Sequence, residues 1–403
     1  MSVTPERLID EYHRCFGAAT DHIRLVRSPY RICPLGAHVD HQLGLVTGMT
    51  IDAPIWLAYT PNAAGRIRLH SLDFSPPVEF DVHAIQAKVD SNWGNYARGA
   101  AWALSQSAPL RHGFDGVVAG SLPIGGLSSS AAVGIAYLLA LEDVNGLSVS
   151  PLENVELDRA IENGYVGLNN GILDPSMILL SRPHHLTALD CQSIQFEHIP
   201  SPLTDDDFDL VIVYSGAGRM LVNSGYNQRV AECAAASTQL LQRAGLPIDG
   251  TPRLRHVPEE VFQAHQHELE APLRKRAAHY FSENDRVRRG HSAWHSGDLR
   301  HFGNLMTQSG DSSINNYEAG SPHLITLHEI LNGCAGVYGA RFAGGGFGGC
   351  CLGLSDPAKR DEIIETIARE YPARHPDIAA NYRVFFQKPD GAACHWSAVE
   401  DMR

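Results

Sequence analysis

Residues 120–134 read Gly-Ser-Leu-Pro-Ile-Gly-Gly-Leu-Ser-Ser-Ser-Ala-Ala-Val-Gly, and no other stretch limits the fold so sharply. Small residues let a backbone approach a charged ligand closely. Three serines follow where an apolar helix begins, so free N–H groups and the positive end of a helix dipole meet there. This is the layout of a phosphate cradle and predicts nucleotide binding. Taken alone, it also fits an ordinary N-cap, because Gly/Ser turns precede many helices.

Composition narrows what the cradle can belong to. At 403 residues and 44% hydrophobic content, the chain can bury two domain cores and reads as globular. A net charge of -13 argues against a nucleic-acid partner and leaves room for a small anionic substrate. Lysine occurs only at Lys88, Lys275, Lys359 and Lys388. The glycine-rich loop has none, which excludes a Walker-type P-loop, and the absence of a Val-Ala-Ile-Lys strand argues against a protein kinase. Phosphate must be handled by backbone, helix dipole, metal or arginine. The eight cysteines are scattered without a Cys-x-x-Cys pair, as expected of reduced thiols in a cytoplasmic protein. Residues 1–16 predict an amphipathic helix rather than a signal peptide, and no apolar run is long enough to span a bilayer.

Strands are expected at 24–30, 53–59, 116–121, 186–190, 210–214 and 350–354. Helices are expected at 93–105, 128–141, 151–162, 227–244, 258–267, 283–296, 299–315 and 323–331. The segment 29–48 reads as functional loops. Ser201-Pro202 and Asp205-Asp206-Asp207 mark a connection, predicting an N-terminal domain over 1–204 and a more helical one over 205–403.

Three further segments carry chemistry. Arg31-Ile-Cys-Pro-Leu-Gly-Ala-His38-Val-Asp40-His41 is a polar cluster suited to a polyhydroxylated ligand, or a solvated loop. In Glu162-Asn-Gly-Tyr-Val-Gly-Leu-Asn-Asn-Gly171-Ile-Leu-Asp174-Pro175, Asp174 is either a working carboxylate or an N-cap ahead of Pro175. Arg341-Phe-Ala-Gly344-Gly-Gly-Phe-Gly-Gly349 packs five glycines into six residues, as a loop pressed against a ligand or another backbone requires.

In order and separation, these four segments resemble those of a galactokinase-like GHMP sugar kinase. The first is similar to the galactokinase signature Gly-Arg-x-Asn-x-x-Gly-Glu-His-x-Asp-Tyr, and the cradle to Pro-x-Gly-x-Gly-Leu-Ser-Ser-Ser-Ala. The others are similar to Gly-Ile-Met-Asp-Gln and Gly-x-Gly-Phe-Gly-Gly-Cys. The resemblance implies an α+β GHMP kinase fold, with a ribosomal protein S5 domain 2-like domain, a ferredoxin-like domain and a cleft between them. It implies ATP, Mg2+ and phosphoryl transfer to the anomeric hydroxyl of a sugar. Asp174 matches the catalytic aspartate and Arg31 its partner. Ser130 and Glu162 match the metal ligands. Ala37, His38, Asp40, His41, Gly171 and Tyr226 match sugar-binding positions. Pro123, Gly125, Gly126, Leu127, Ser128, Ser129, Ser130 and Ala131 match the nucleotide loop, with Trp93 near the adenine. Partners are then a sugar or sugar acid and ATP, with no nucleic acid or membrane; a monomer is expected.

Two departures bear on substrate. Ala37 replaces the signature's glutamate, which points at the sugar's C6 hydroxyl. Two carboxylates about 4 Å apart repel by about 4 kcal/mol at an effective dielectric near 20, so a glutamate there would reject a uronic acid and alanine admits one. His41, or a nearby arginine such as Arg219, is expected to supply a positive or donating group. The segment 28–38 resembles galacturonokinases, the galactokinase relatives acting on D-galacturonic acid. Galactokinase, a kinase for a sugar without C6 such as L-arabinose, and a non-catalytic sugar sensor remain alternatives. The second departure is a phosphate loop one residue shorter than the family pattern.

Overall fold

The computed structural model describes residues 3–17, 22–123, 125–204, 206–217 and 225–397. The strands, in chain order, are β1 (Arg24–Ile32), β2 (Leu45–Asn62), β3 (Arg66–Ser71), β4 (Val78–Asp81), β5 (Gly113–Gly120), β6 (His185–Asp190), β7 (Gln195–Pro200), β8 (Asp209–Tyr214), β9 (Val337–Phe342), β10 (Cys350–Ser355), β11 (Arg383–Gln387), β12 (Pro389–Asp390) and β13 (Cys394–Trp396). They form two sheets. The first runs β13-β1-β2-β5-β3-β4, with β12 and β6 also on β2 and β7 on β6. The second runs β11-β8-β10-β9 and is antiparallel throughout. Numbered within itself, its order is 4-1-3-2, the ferredoxin-like arrangement. The last two strands return to the first sheet, so the chain closes on its own beginning.

The helices that position the cleft are α1 (Pro5–Phe16), α2 (Asn95–Ser105), α3 (Ser129–Asn145), α4 (Pro151–Arg159), α5 (Leu173–Leu180), α6 (Tyr226–Arg243), α7 (Glu259–His265), α8 (Ala271–His295), α9 (Leu299–Asn315), α10 (Pro322–Gly333) and α11 (Arg360–Arg374). Helix α3 is apolar nearly all round and accordingly buried against the first sheet and neighbouring helices. Helix α4 starts on a full capping box, Ser150 with Glu153, and runs on as a π-helical turn over Ala160–Val166. Thr4 caps α1, whose Leu8 and Tyr12 join Leu25, Trp56 and Val117 in a satellite core.

Several expected bounds shift. The strand expected at 53–59 runs over 45–62, because Leu45–Gly48 pairs with β6 and Ile55–Asn62 with β5. Helix α8 begins at Ala271, a dozen residues before the expected start. Among the described residues, no helix is long and apolar enough to cross a membrane.

Candidate active site

The register of β1 against β2 shifts between Pro29 and Arg31, where one residue of β1 faces three of β2. Arg31, just past that shift, is buried. Its Nε donates to Asp174 Oδ1 at 2.7 Å, and its Nη1 to the Gly126 carbonyl at 3.1 Å. Asp174 lies in the first turn of α5, but Ile172 is that helix's N-cap. The capping alternative for Asp174 therefore fails; its other oxygen accepts from the Ser128 hydroxyl.

Ser128 stands just before α3 at φ 57°, a left-handed conformation unfavourable for a side-chain-bearing residue. With its hydroxyl turned to Asp174, it makes no capping hydrogen bond. The first-turn N–H groups of Ser129, Ser130 and Ala131 are left pointing outward at the positive end of the helix. Gly125 and Gly126 explain the glycines of both loops at once. A methyl group on Gly125 would lie 2.8 Å from Gly349 Cα, and one on Gly126 2.9 Å from the Ala343 carbonyl. The cradle is thus pressed backbone to backbone on the loop 344–349. Leu127 is buried behind it. Ile124, within the shortened loop, lies outside the described residues.

Asp40, Gly171, His38 and Tyr226 line the same cleft as Arg31 and Asp174. A side chain at 171 would overlap the Asp40 carboxylate, so only glycine fits there. Desolvation and the Asp174 charge push the Asp40 carboxyl up to about 6. His38, at φ 59°, stacks on Tyr317 with centroids 4.3 Å apart. Its Nε2 has no hydrogen-bond partner among the described residues, and burial holds the ring well below the usual histidine range.

His41 departs from expectation. Its Nε2 meets Tyr317 Oη at 3.0 Å and its Nδ1 the Gln42 side chain at 2.9 Å, and burial pushes its pKa down to about 3. It is neutral and both ring nitrogens are engaged behind the cleft wall, so it supplies neither a positive charge nor a free donor. Arg219, the other expected donor, lies outside the described residues. Trp93 sits away from the cleft lining, its Nε1 on the Pro76 carbonyl at 2.9 Å and its ring beside exposed Phe74.

Three acidic groups come together beneath the cradle. Glu162 is buried, with Oε2 accepting from Asn170 Nδ2 at 2.5 Å. Asp158, one turn earlier, is fully buried against Gly134 of α3, and neither of its oxygens has a hydrogen-bond partner among the described residues. Burial, and then the charges of Glu162 and Asp174, push its carboxyl well up. Three carboxyl groups this close, one of them paired with Arg31, suit a divalent cation. An all-oxygen donor set including the Ser130 hydroxyl and Glu162 fits Mg2+ rather than a softer metal.

The wall around Ala37 is built from the other half of the chain. Glu283 of α8 is fully buried; its Oε1 accepts from the N–H groups of Gly36 at 2.8 Å and Ala37 at 3.2 Å, and its Oε2 from Arg286 at 2.7 Å. Although burial opposes it, Arg286, His279 and Arg341 hold this carboxyl down to about 2. His279 Nε2 meets the Ala37 carbonyl at 2.9 Å. Asp158, Glu283 and Arg341 were not expected as site residues. The four-residue spacing of Asp158 and Glu162 put both on one helix face, but nothing in the sequence marked that face as buried.

A cleft that opens a helix N-terminus toward a half-buried aspartate paired with a buried arginine is laid out for moving a phosphoryl group onto a small molecule, which makes this a small-molecule kinase. Residues 95–182 match the family of GHMP kinases N terminal domains and residues 291–373 that of GHMP kinases C terminal domains. The chain is 47% identical over 385 residues to the galacturonokinase of Arabidopsis thaliana, covering 91% of each chain. It is 34% identical over 348 residues to the galactokinase of Roseiflexus sp., covering 86% of this chain and 87% of that one. Lactococcus lactis galactokinase, solved in complex with galactose, superposes with a TM-score of 0.87 at 29% identity, covering 96% of this chain and 98% of that chain. Methanococcus jannaschii mevalonate kinase, at 16% identity and a TM-score of 0.64 over 92% of this chain and 99% of that one, shares the fold. The chain belongs to the GHMP kinase family, among its galactokinase-type members.

Proposed function

We propose that this chain transfers the γ-phosphoryl of ATP to the anomeric hydroxyl of D-galacturonic acid, giving galacturonate 1-phosphate. The observation that carries this reading is Ala37, a methyl group on the cleft wall beside Arg341 where the galactokinase signature has a carboxylate. The 47% identity to a plant galacturonokinase supports it, as does the galactose complex of the lactococcal neighbour for a hexose in this cleft.

In this reading the ATP phosphates lie on the N–H groups of Ser128 to Ala131, with Pro123, Gly125, Gly126 and Leu127 shaping the loop. Ser130 and Glu162 hold Mg2+, which neutralises phosphate charge when bound. Asp174 faces the anomeric hydroxyl and takes its proton, while Arg31 and Ser128 fix the carboxylate's orientation. Asp40 accepts from sugar hydroxyls, and His38, Gly171 and Tyr226 complete the sugar site. We place the adenine toward Trp93. We divide the chain into units at 1–204 and 205–403, with 389–396 returning to the first. Buried thiols at Cys33, Cys191, Cys233, Cys334, Cys350 and Cys351 accord with a cytoplasmic setting, and we take the chain to act as a monomer.

Coupled ADP release from purified protein with a sugar panel tests the proposal. Galacturonate should give the highest kcat/KM. Faster turnover of galactose, or of L-arabinose, would replace the substrate assignment. Sugar binding without any ADP release would make the chain a sensor.

A further inference from the structure

We infer that Arg341 is the receptor for the carboxylate at C6 of the sugar. This rests on the sugar-acid reading above and names the group that makes it selective.

Arg341, next to last in β9, has only 1% of its surface exposed, yet it lines the cleft. Its Nε donates to the Phe342 carbonyl at 3.1 Å and its Nη1 to Ser309 Oγ at 2.7 Å. Glu283 Oε1 is 3.8 Å from Nη1, beyond hydrogen-bond distance. Among the described residues, Nη2 has no hydrogen-bond partner. A guanidinium carries five donors in a rigid fork. Here Nη2 is left without a partner on a guanidinium otherwise taken out of water, a cost that a bound anion offsets.

Glu283 cannot turn to meet that Nη2. Its Oε1 is already shared by Gly36 N–H, Ala37 N–H and the Ser309 hydroxyl, and its Oε2 is held by Arg286. The same bonds place Ala37 next to Arg341. A glutamate at 37, as in the galactokinase signature, would reach the guanidinium and neutralise it. With alanine, the carboxylate that the signature carries on the protein is carried by the sugar instead. Other cations do not compete. Arg31 is the only other arginine among the described residues lining the cleft, no lysine lines it, and Arg31 is bound to Asp174. His38 is held neutral and offers at most a hydrogen bond. A carboxylate suits the open Nη2 because a hydrogen bond between two ionised groups is roughly twice as strong as a neutral one.

The test compares galacturonate with galacturonamide, which is nearly the same shape without the charge, in wild type, Arg341→Met and Arg341→Lys. Wild type should show a KM for galacturonate at least ~10-fold below that for the amide, the range expected of charged hydrogen bonds. Arg341→Met should bring the two KM values together, chiefly by raising that for galacturonate, with the KM for ATP unchanged. Arg341→Lys should retain part of the discrimination, keeping charge but losing the fork. Should the methionine variant misfold, the lysine variant decides: an unchanged galacturonate-to-amide ratio in either folded variant overturns the assignment. Failure of wild type to phosphorylate galacturonate at all would instead sink the substrate reading, a separate outcome.

Discussion

Ala37→Glu puts the specificity argument under the greatest load. The backbone at 37 is anchored on both sides, its N–H on Glu283 and its carbonyl on His279. The substitution therefore adds a side chain to the cleft wall without releasing the loop. The new carboxylate would face that of galacturonate at about 4 Å, a repulsion of about 4 kcal/mol at an effective dielectric near 20. That corresponds to roughly a thousandfold loss in kcat/KM. It would also occupy Arg341, removing the attraction as well as adding the repulsion. Galactose should move the other way, because a charged acceptor for its C6 hydroxyl contributes about 1.5–3 kcal/mol. Coupled ADP release with each sugar, followed by an ATP titration at saturating sugar, measures all three quantities. An equal loss for both sugars would show that position 37 does not face C6. A change confined to the KM for ATP would show that the wall belongs to the nucleotide.

Three other perturbations probe the rest of the cleft. Asp174→Asn preserves the shape that Arg31 and Ser128 hold but removes the proton acceptor, so kcat should fall roughly 10²- to 10⁴-fold with little change in the KM for galacturonate; single-turnover kinetics would expose a smaller effect. Gly126→Ala meets both a left-handed backbone at φ 80° and the Ala343 carbonyl, whereas Gly146→Ala meets only φ 62° with nothing within 4 Å. Both should lose about 1–2 kcal/mol of stability to backbone handedness and lower the thermal midpoint, but only Gly126→Ala should raise the KM for ATP. Asp158 keeps its proton in the folded state well above the usual aspartate range, so the unfolded chain ionises first and stability falls as pH climbs through that range. In Asp158→Asn that slope disappears, and denaturation at a series of pH values should show the metal-free variant gaining on wild type as pH rises.

The loops were legible because their residue types answer to backbone contact. Gly125, Gly126, Gly344 and Gly349 lie against one another, and a run of glycines announces such an approach wherever its partner is in the chain. Asp174 and Arg31 could be paired through the resemblance, although the choice between working carboxylate and helix cap needed the geometry of Ser128. Strand bounds were harder, since β2 takes its length from four separate partners whose positions no local pattern encodes. Buried charges were harder still. A glutamate or aspartate within a helix ordinarily faces water, so Glu283 and Asp158 read as surface. The two histidines of the first motif read alike, and only packing separates His38, on the cleft wall, from His41, bonded to Tyr317.

Position 37 shows how far a single departure can be read. Losing a glutamate from a sugar-kinase motif implies less negative charge opposite C6, and the sequence alone carries that much. What the vacancy exposes is decided by residues more than two hundred positions away: Glu283 holds the N–H groups of Gly36 and Ala37, and Ser309 holds Arg341 beside them. Selectivity for an acidic sugar then belongs to the contact between the two halves of the chain. Glutamate-to-alanine replacement in a galactokinase would admit galacturonate only where an arginine stands behind that position with a nitrogen of its fork unoccupied. Where the arginine has another carboxylate to bind, the same replacement would merely leave a hole.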